Sequence, residues 1–83
     1  MEYPEKIEPQ EIEALIDSER FVLMNENFII CVLKVGGFTI IGENSCLNPN
    51  DFDTELGKES SRADALNKLW ELEGYHRSRI KNP

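Results

Sequence analysis

The sequence FIICVLKVGGFTII, residues 28–41, decides the fold of this 83-residue chain. It contains two apolar runs rich in β-branched side chains, which fit the pleated surface of a sheet. Gly36 and Gly37 separate the runs, and a two-residue glycine loop suits the primed turns of hairpins because those turns need positive φ angles. The stretch therefore predicts a β-hairpin at the centre of a small sheet.

The hairpin register assigns each side chain of the two strands to one face of the sheet. One face receives three pairs, which are Val35 with Phe38, Leu33 with Ile40 and Cys31 with Gly42. The other face receives Ile30, Val32, Lys34, Thr39, Ile41 and Glu43. Both faces are thus substantially apolar, although the second also carries charged and polar groups.

The segments before the hairpin predict one short helix and one further strand. Pro9 suits the first turn of a helix, and the apolar spacing that follows predicts a helix from about Pro9 to about Ser18. A first strand is expected from Arg20 to Met24, with a turn at residues 25–27. Residues 1–8 are expected to form an extended, weakly ordered lead-in.

The chain after the hairpin predicts a long helix. The segment GENSCLNPND is rich in turn-forming residues, and Asn48 followed by Pro49 favours a helix start. The apolar face of that helix is expected to consist of Phe52, Leu56, Ala63, Leu66 and Trp70, flanked by Ala65, Leu69 and Leu72. The sequence leaves open an interruption at Gly57, whereas Gly74 is expected to end or kink the helix. Residues 75–83 then form a short basic tail.

The predicted fold class is α+β, with the order α-β-β-β-α in one domain spanning residues 1–83. A three-stranded antiparallel sheet packs one face against the long C-terminal helix. If the first turn has two residues, the second sheet face carries Phe21, Leu23, Ile30, Val32 and Ile41. The short first helix could cover this face, or both helices could share the other face. In the second case an exposed apolar patch remains, and such a patch normally marks an interface.

The net charge of −7 constrains the partners of the chain. Residues 1–19 carry seven acidic side chains and residues 43–73 carry eight, whereas residues 76–83 carry three bases and no acid. An acidic body repels phosphate backbones, so nucleic-acid binding is disfavoured. The acidic surface either serves solubility or docks onto a basic groove of another protein, in the manner of a DNA mimic.

The expected location is the cytoplasm. The sequence contains no apolar run long enough to span a bilayer, and the polar N-terminus does not resemble a signal peptide. Cys31 and Cys46 do not make a disulfide framework, and Cys31 is expected to be a small core residue.

Catalytic and metal-binding patterns are weak, so we expect neither an enzyme nor a cofactor. Cys46 and His76 could form a thiol–base pair, but no third orienting group follows from their spacing. The cysteines and His76 lack the paired spacing of metal ligands. In addition to the apolar sheet face, the sequence contains a second candidate binding site, a C-terminal cluster that would hold an anion or a partner. Its residues are Trp70, Tyr75, His76, Arg77 and Arg79.

A set of motifs spread along the chain resembles a known family. The motifs are GFTIIGENSC, NPNDFD, Gly57 and ALNKLWELEGY, and together they cover about residues 9–80. They are similar to small tailed-phage and prophage proteins named after phage N4 gene product 49 and phage Sf6 gene product 66. Asn44 is a departure, because the family order is Glu-Ser-Ala-Cys where this chain has Glu43-Asn44-Ser45-Cys46.

The resemblance implies a phage or prophage origin and makes host-directed roles the expectation. The first hypothesis is a non-enzymatic binding protein that modulates or inhibits a host protein, in host takeover or counter-defence. The second is a nucleic-acid or nucleotide binder that uses Trp70, Arg77, Arg79 and Lys81. The third is a homodimer that buries the second sheet face between two copies.

Overall fold

A computed structural model describes residues 6–81 of the chain. A short helix, α1 (Pro9–Ala14), precedes three strands, β1 (Ser18–Asn25), β2 (Phe28–Val35) and β3 (Phe38–Ser45). A 3₁₀ turn at Pro49–Asp51 leads into a long helix, α2 (Thr54–Lys81). The strands form one antiparallel sheet in the order β1-β2-β3, and α2 packs on one side of it. The α+β class and the element order are therefore confirmed.

The β2–β3 hairpin has the predicted turn and register. Gly36 and Gly37 both adopt positive φ, at 55° and 83°, as a primed two-residue turn requires. Val35 pairs with Phe38, Leu33 with Ile40 and Cys31 with Gly42. Ile29, Cys31 and Leu33 of β2 are buried, and burial raises the pKa of the Cys31 thiol. Cys31 is therefore a core residue, as the sequence predicted.

A β-bulge in β1 changes the register that a simple turn would give. Asn25 lies opposite Phe28, so the turn consists of Glu26 and Asn27. A regular register would then place Met24 opposite Ile29, but Leu23 occupies that position. One residue, Met24, is therefore extra on the β1 side. A shift of one residue moves every preceding side chain of β1 to the opposite face of the sheet.

The bulge makes the predicted faces of Phe21 and Leu23 wrong. Phe21 lies opposite Cys31 and therefore belongs to the face that α2 covers, and Leu23 shares that face. Val22, opposite Ile30, takes their place on the second face. Strand β1 also begins two residues earlier than predicted, at Ser18.

Small residues of α2 bring the helix into close contact with the sheet. The buried positions recur every fourth residue, at Gly57, Ser61, Ala65 and Leu69. At Gly42 of β3 an added Cβ would lie 2.0 Å from the carbonyl oxygen of Ser61, so helix and strand backbones are in direct contact. The predicted apolar stripe is wrong in the first half of the helix, because Leu56 and Ala63 are exposed.

Helix α2 runs without interruption for 28 residues, or about 42 Å at 1.5 Å per residue. Asn48 caps the 3₁₀ turn, and α2 begins only at Thr54, where Asp53 Oδ1 accepts from the amide of Glu55 at 2.9 Å. Gly57 and Gly74 lie inside the helix, so neither ends it. The basic segment expected as a tail is helical up to Lys81.

Helix α1 lies on the same side of the sheet as α2. It ends at Ala14, four residues earlier than predicted. Its Ile12 is buried in one cluster with Leu33 and Leu69, and Ile7 from the preceding segment joins that cluster. The part of the predicted lead-in around Ile7 is thus anchored in the core, whereas residues 1–5 lie outside the described residues.

Arg62 of α2 ties α1 and β1 to the long helix. Its guanidinium donates two hydrogen bonds to the carboxylate of Glu13, at 2.7 and 2.8 Å, and a third to Glu19. The hydrogen bonds from Arg62 lower the pKa of Glu13 below its ordinary value of 4.5.

This contact predicts an acid-sensitive part of the stability. Because the folded state lowers the pKa of Glu13, its contribution is present above pH 4.5 and is lost as the pH falls further. The contribution is expected to be about 0.5 kcal/mol at pH 7, since the pair is partly exposed. Urea unfolding at pH 7 and pH 3 should show a smaller acid-induced loss for Glu13→Gln than for wild type. Equal losses in the two proteins would contradict the assignment.

Candidate binding surfaces

The sheet face opposite the helices is uncovered among the described residues. Both helices pack on the other face, where the core cluster lies. We call the uncovered side the open sheet face, and its central side chains are Arg20, Val22, Ile30, Val32, Lys34 and Ile41. The side chains of Val22, Ile30 and Val32 are half-buried although no helix covers them, and the side chain of Ile41 is 43% exposed. Of the two arrangements left open by the sequence, the structure thus has the one with an exposed patch.

The structure separates the five residues predicted for this face into two groups. Ile30, Val32 and Ile41 lie on the open sheet face. Phe21 lies on the opposite face, where Lys58 Nζ is 5.8 Å from its ring centroid. Leu23 is on that same opposite face and is 54% exposed near the edge of the sheet.

Two cations lie close together on the open sheet face, whereas the carboxylate of Glu43 on the same face lies opposite Ile30, on the far strand β3. Arg20 lies directly opposite Val32, and Lys34 is its diagonal neighbour, about 7 Å away at the Cβ level. Lys34 Nζ donates to Thr39 Oγ1 at 2.7 Å. Within residues 6–81, no carboxylate forms an ion pair with Arg20 or Lys34. A hollow of about 440 Å³ lies beside them, lined by Ser18, Glu19, Arg20, Val32 and Lys34.

The sequence did not predict that Arg20 belongs to the open sheet face. Lys34 was assigned to the second face by the hairpin register, but the face of Arg20 depends on the bulge at Met24. No local sequence signal marks that bulge, since Met24 is an ordinary strand residue.

The outer edge of β3 is capped by side chains of α2. In an antiparallel pair, alternate residues direct their N–H and C=O groups away from the partner strand. On β3, the amide of Glu43 donates to Asp64 Oδ2 at 3.0 Å, and the carbonyl of Ile41 accepts from Lys68 Nζ at 2.7 Å. Asp64 and Lys68 also pair with each other at 3.4 Å. These contacts occupy two backbone groups that an added strand would need, and they obstruct pairing along this edge.

The outer edge of β1 has no comparable cap. The pairing with β2 directs the backbone groups of Glu19, Phe21 and Leu23 outward. Across the described part of the chain, no side chain or backbone group bonds to these outward groups. Within residues 6–81 the two edges of the sheet therefore differ, and the β1 edge is the less obstructed one for another strand.

The structure divides the predicted C-terminal cluster between different sides of α2. Residues five apart on a helix are separated by about 140°, so Tyr75 projects on a different side of α2 from Trp70. Trp70 packs against the core cluster, and Arg77 bonds to Glu73 at 2.8 Å and to Glu11 at 3.5 Å. The remaining members, Tyr75, His76 and Arg79, are exposed.

Cys46 and His76 lie at opposite ends of the sheet. The amide of Cys46 donates to the carbonyl of Asn27, beside the first turn. His76 lines a groove of about 690 Å³ at the other end, with Val35, Gly36, Phe38, Ile40, Leu69, Leu72 and Glu73. The eight residues of β3 span roughly 25 Å, so the two side chains do not meet. Among residues 6–81, no three His, Cys, Asp or Glu side chains are grouped to hold a metal ion.

A small pocket between the β3 end and α2 is occupied by local capping contacts. It measures about 250 Å³, and its lining includes Cys46, Asp53 and Gly57. Asp53 caps the first amides of α2, and the Cys46 thiol donates to the carbonyl of Asn48 at 3.3 Å. These polar groups hold the loop against the helix.

Comparison with known proteins gives one match. Residues 7–80 match the family described as Phage protein (N4 Gp49/phage Sf6 gene 66) family. No curated protein and no solved structure matches the chain. None of the helices in the described residues is long and apolar enough to cross a membrane.

Proposed function

The chain belongs to the N4 Gp49/Sf6 gene 66 family of phage proteins, and from this premise we propose that it is a non-enzymatic binding protein. It acts on a protein of the host cell, and the open sheet face is its docking surface. The exposed apolar side of the sheet is the observation that carries this proposal. The effect on the host protein follows from occupancy of its surface, as expected for host takeover or counter-defence.

The open sheet face is small for a binding interface. Three strands at about 4.8 Å spacing and eight residues in length give a face of roughly 350 Å². Only part of this area is apolar, because Arg20, Lys34, Thr39 and Glu43 share the face with the apolar side chains. Two copies joined face to face would bury only on the order of 700 Å², below the roughly 1,200 Å² of a stable interface. A different protein that covered this face alone would bury a similar area, so a stable complex with either kind of partner needs contacts beyond the open sheet face.

The nucleic-acid alternative receives no specific support from the geometry. Its proposed residues include Trp70, which packs against the core, and Arg77, which is engaged by Glu73 and Glu11. The net charge of −7 also opposes approach to a phosphate backbone.

Capture from host lysate by tagged variants tests the proposed function. The double variant Ile30→Thr/Val32→Thr keeps β-branched side chains in β2 but replaces apolar surface with hydroxyls. It should bind the captured protein about tenfold more weakly, a loss of about 1.4 kcal/mol from two buried apolar contacts. The matched control is Leu47→Thr, at a fully exposed loop position outside the face.

The informative result is a stoichiometric partner that wild type and Leu47→Thr retain and the double variant loses. Equal capture by all three proteins would remove the open sheet face as the docking surface. Recovery of no stoichiometric host protein would overturn the proposed function itself.

A further inference from the structure

We propose that the partner docks by adding a strand to the outer edge of β1, through an extended segment that places an acidic side chain beside Arg20. This inference rests on the proposed function and specifies where the partner binds and what chemistry it presents. It follows from the difference between the two sheet edges and from the cations of the open sheet face.

The edge contrast selects β1. Asp64 and Lys68 occupy two outward backbone groups of β3, the amide of Glu43 and the carbonyl of Ile41, and so obstruct a strand there. The corresponding groups of β1 face outward between Glu19 and Leu23, and the strand is regular up to the bulge at Met24. About five residues of a partner can therefore pair with β1, and main-chain hydrogen bonds of this kind supply affinity in strand addition.

The cations of the open sheet face indicate which side chains the partner's extended segment carries. A strand added to β1 presents every second side chain on the open sheet face, next to Arg20 and Val22. Arg20 lacks a carboxylate partner within residues 6–81, and Lys34 lies one strand further in. A carboxylate facing Arg20, followed by an apolar side chain beside Val22, complements both positions. Opposite charges across neighbouring strands stabilise the pairing.

A second copy of the chain does not fit the same edge. Antiparallel pairing of two β1 strands would place two Arg20 and two Lys34 side chains on one continuous face, with no added carboxylate beside Arg20. Each copy also carries a net charge of −7, so the two bodies repel each other. The occupant is therefore a segment of a different protein with acidic and apolar side chains in alternation.

Peptide titration of the ¹⁵N-labelled full chain tests the inference. The probes are nine-residue capped peptides that alternate valine with glutamate or valine with lysine. Their binding is followed by NMR chemical shifts of the backbone amides. The glutamate peptide should shift the amides of Glu19, Phe21 and Leu23 and should bind at least tenfold more tightly than the lysine peptide. A glutamate peptide with N-methyl groups on alternate residues should not bind, because it cannot form the strand hydrogen bonds.

A charge reversal provides the matched protein variants. Arg20→Glu should reverse the preference so that the lysine peptide binds more tightly. Arg79→Glu, which removes an exposed cation near the far end of α2, should leave the preference unchanged. Reversal by both variants would mean that net charge alone controls binding, and it would overturn the site.

The remaining outcomes separate this inference from the proposed function. Shifts confined to other elements, or none at all, would overturn strand addition at β1, even if host capture still depends on Ile30 and Val32. Concentration-dependent shifts of the β1 amides without peptide would make a second copy the occupant and would also overturn it. Peptide binding at β1 without any captured host protein would leave the edge site standing and remove the proposed function.

Discussion

Gly42→Ala is expected to lower the free energy of unfolding by about 3 kcal/mol or more, at the upper end of what overpacking costs. The new Cβ would lie 2.0 Å from the carbonyl oxygen of Ser61 and 2.3 Å from the amide nitrogen of Ala65. Both are backbone atoms of α2, so no side-chain rotation can relieve the contact. The helix would have to move off the sheet, which would weaken its packing on β2 and β3.

Urea unfolding monitored by circular dichroism measures this loss, and Gly74→Ala is the matched control. Both changes replace glycine with alanine and so affect the unfolded chain alike. Gly74 lies inside α2, and its added Cβ would meet only Ile7 Cδ1, at 4.0 Å. Gly74→Ala should therefore stabilise the protein by about 0.5–1 kcal/mol, because glycine is unfavourable within a helix. Equal effects of the two substitutions would show that α2 does not contact β3 as described.

Leu33→Ala is expected to lower the free energy of unfolding by about 2–5 kcal/mol, the range for truncating a buried leucine. Leu33 is fully buried in the cluster where the sheet, α1 and α2 meet. Removal of its isopropyl group would leave a cavity among side chains of three different elements, which cannot all close it. A chain of this size has a total stability of roughly 4–12 kcal/mol, so the variant should be largely unfolded at modest urea concentrations.

Leu47→Ala is the control for this truncation. Leu47 is fully exposed in the loop after β3, so the same chemical change should alter the free energy of unfolding by less than about 0.5 kcal/mol. The difference in urea midpoint between the two variants reports burial alone. A loss below about 1 kcal/mol for Leu33→Ala would place the core elsewhere.

The Gly42 contact also matters for the proposed binding surface. Because α2 approaches the sheet closely on one side and α1 packs beside it, the described helices leave the other side of the sheet open. Asp64 and Lys68 reach the edge of β3 from the same helix. The position of α2 therefore covers one face and obstructs one edge, and it leaves the open sheet face and the β1 edge for a partner.

Local sequence features determined the hairpin, its register and the α+β order. Gly36 and Gly37 favour the two-residue turn, because that turn needs two consecutive positive φ angles and glycine adopts them without strain. The alternation of side chains then follows from strand geometry, which is why Ile30, Val32 and Ile41 were assigned correctly to one face. The family resemblance was likewise carried by the sequence alone.

Only the tertiary structure decided which side chains of β1 and α2 face the core. The bulge at Met24 depends on how β1 fits against β2 and the helix above it, and it exchanged the faces of Phe21 and Val22. The buried stripe of α2 consists largely of Gly57, Ser61 and Ala65, which a hydrophobicity pattern does not identify. Such residues are buried because their small size permits close backbone approach, a property of two elements together that neither segment shows by itself.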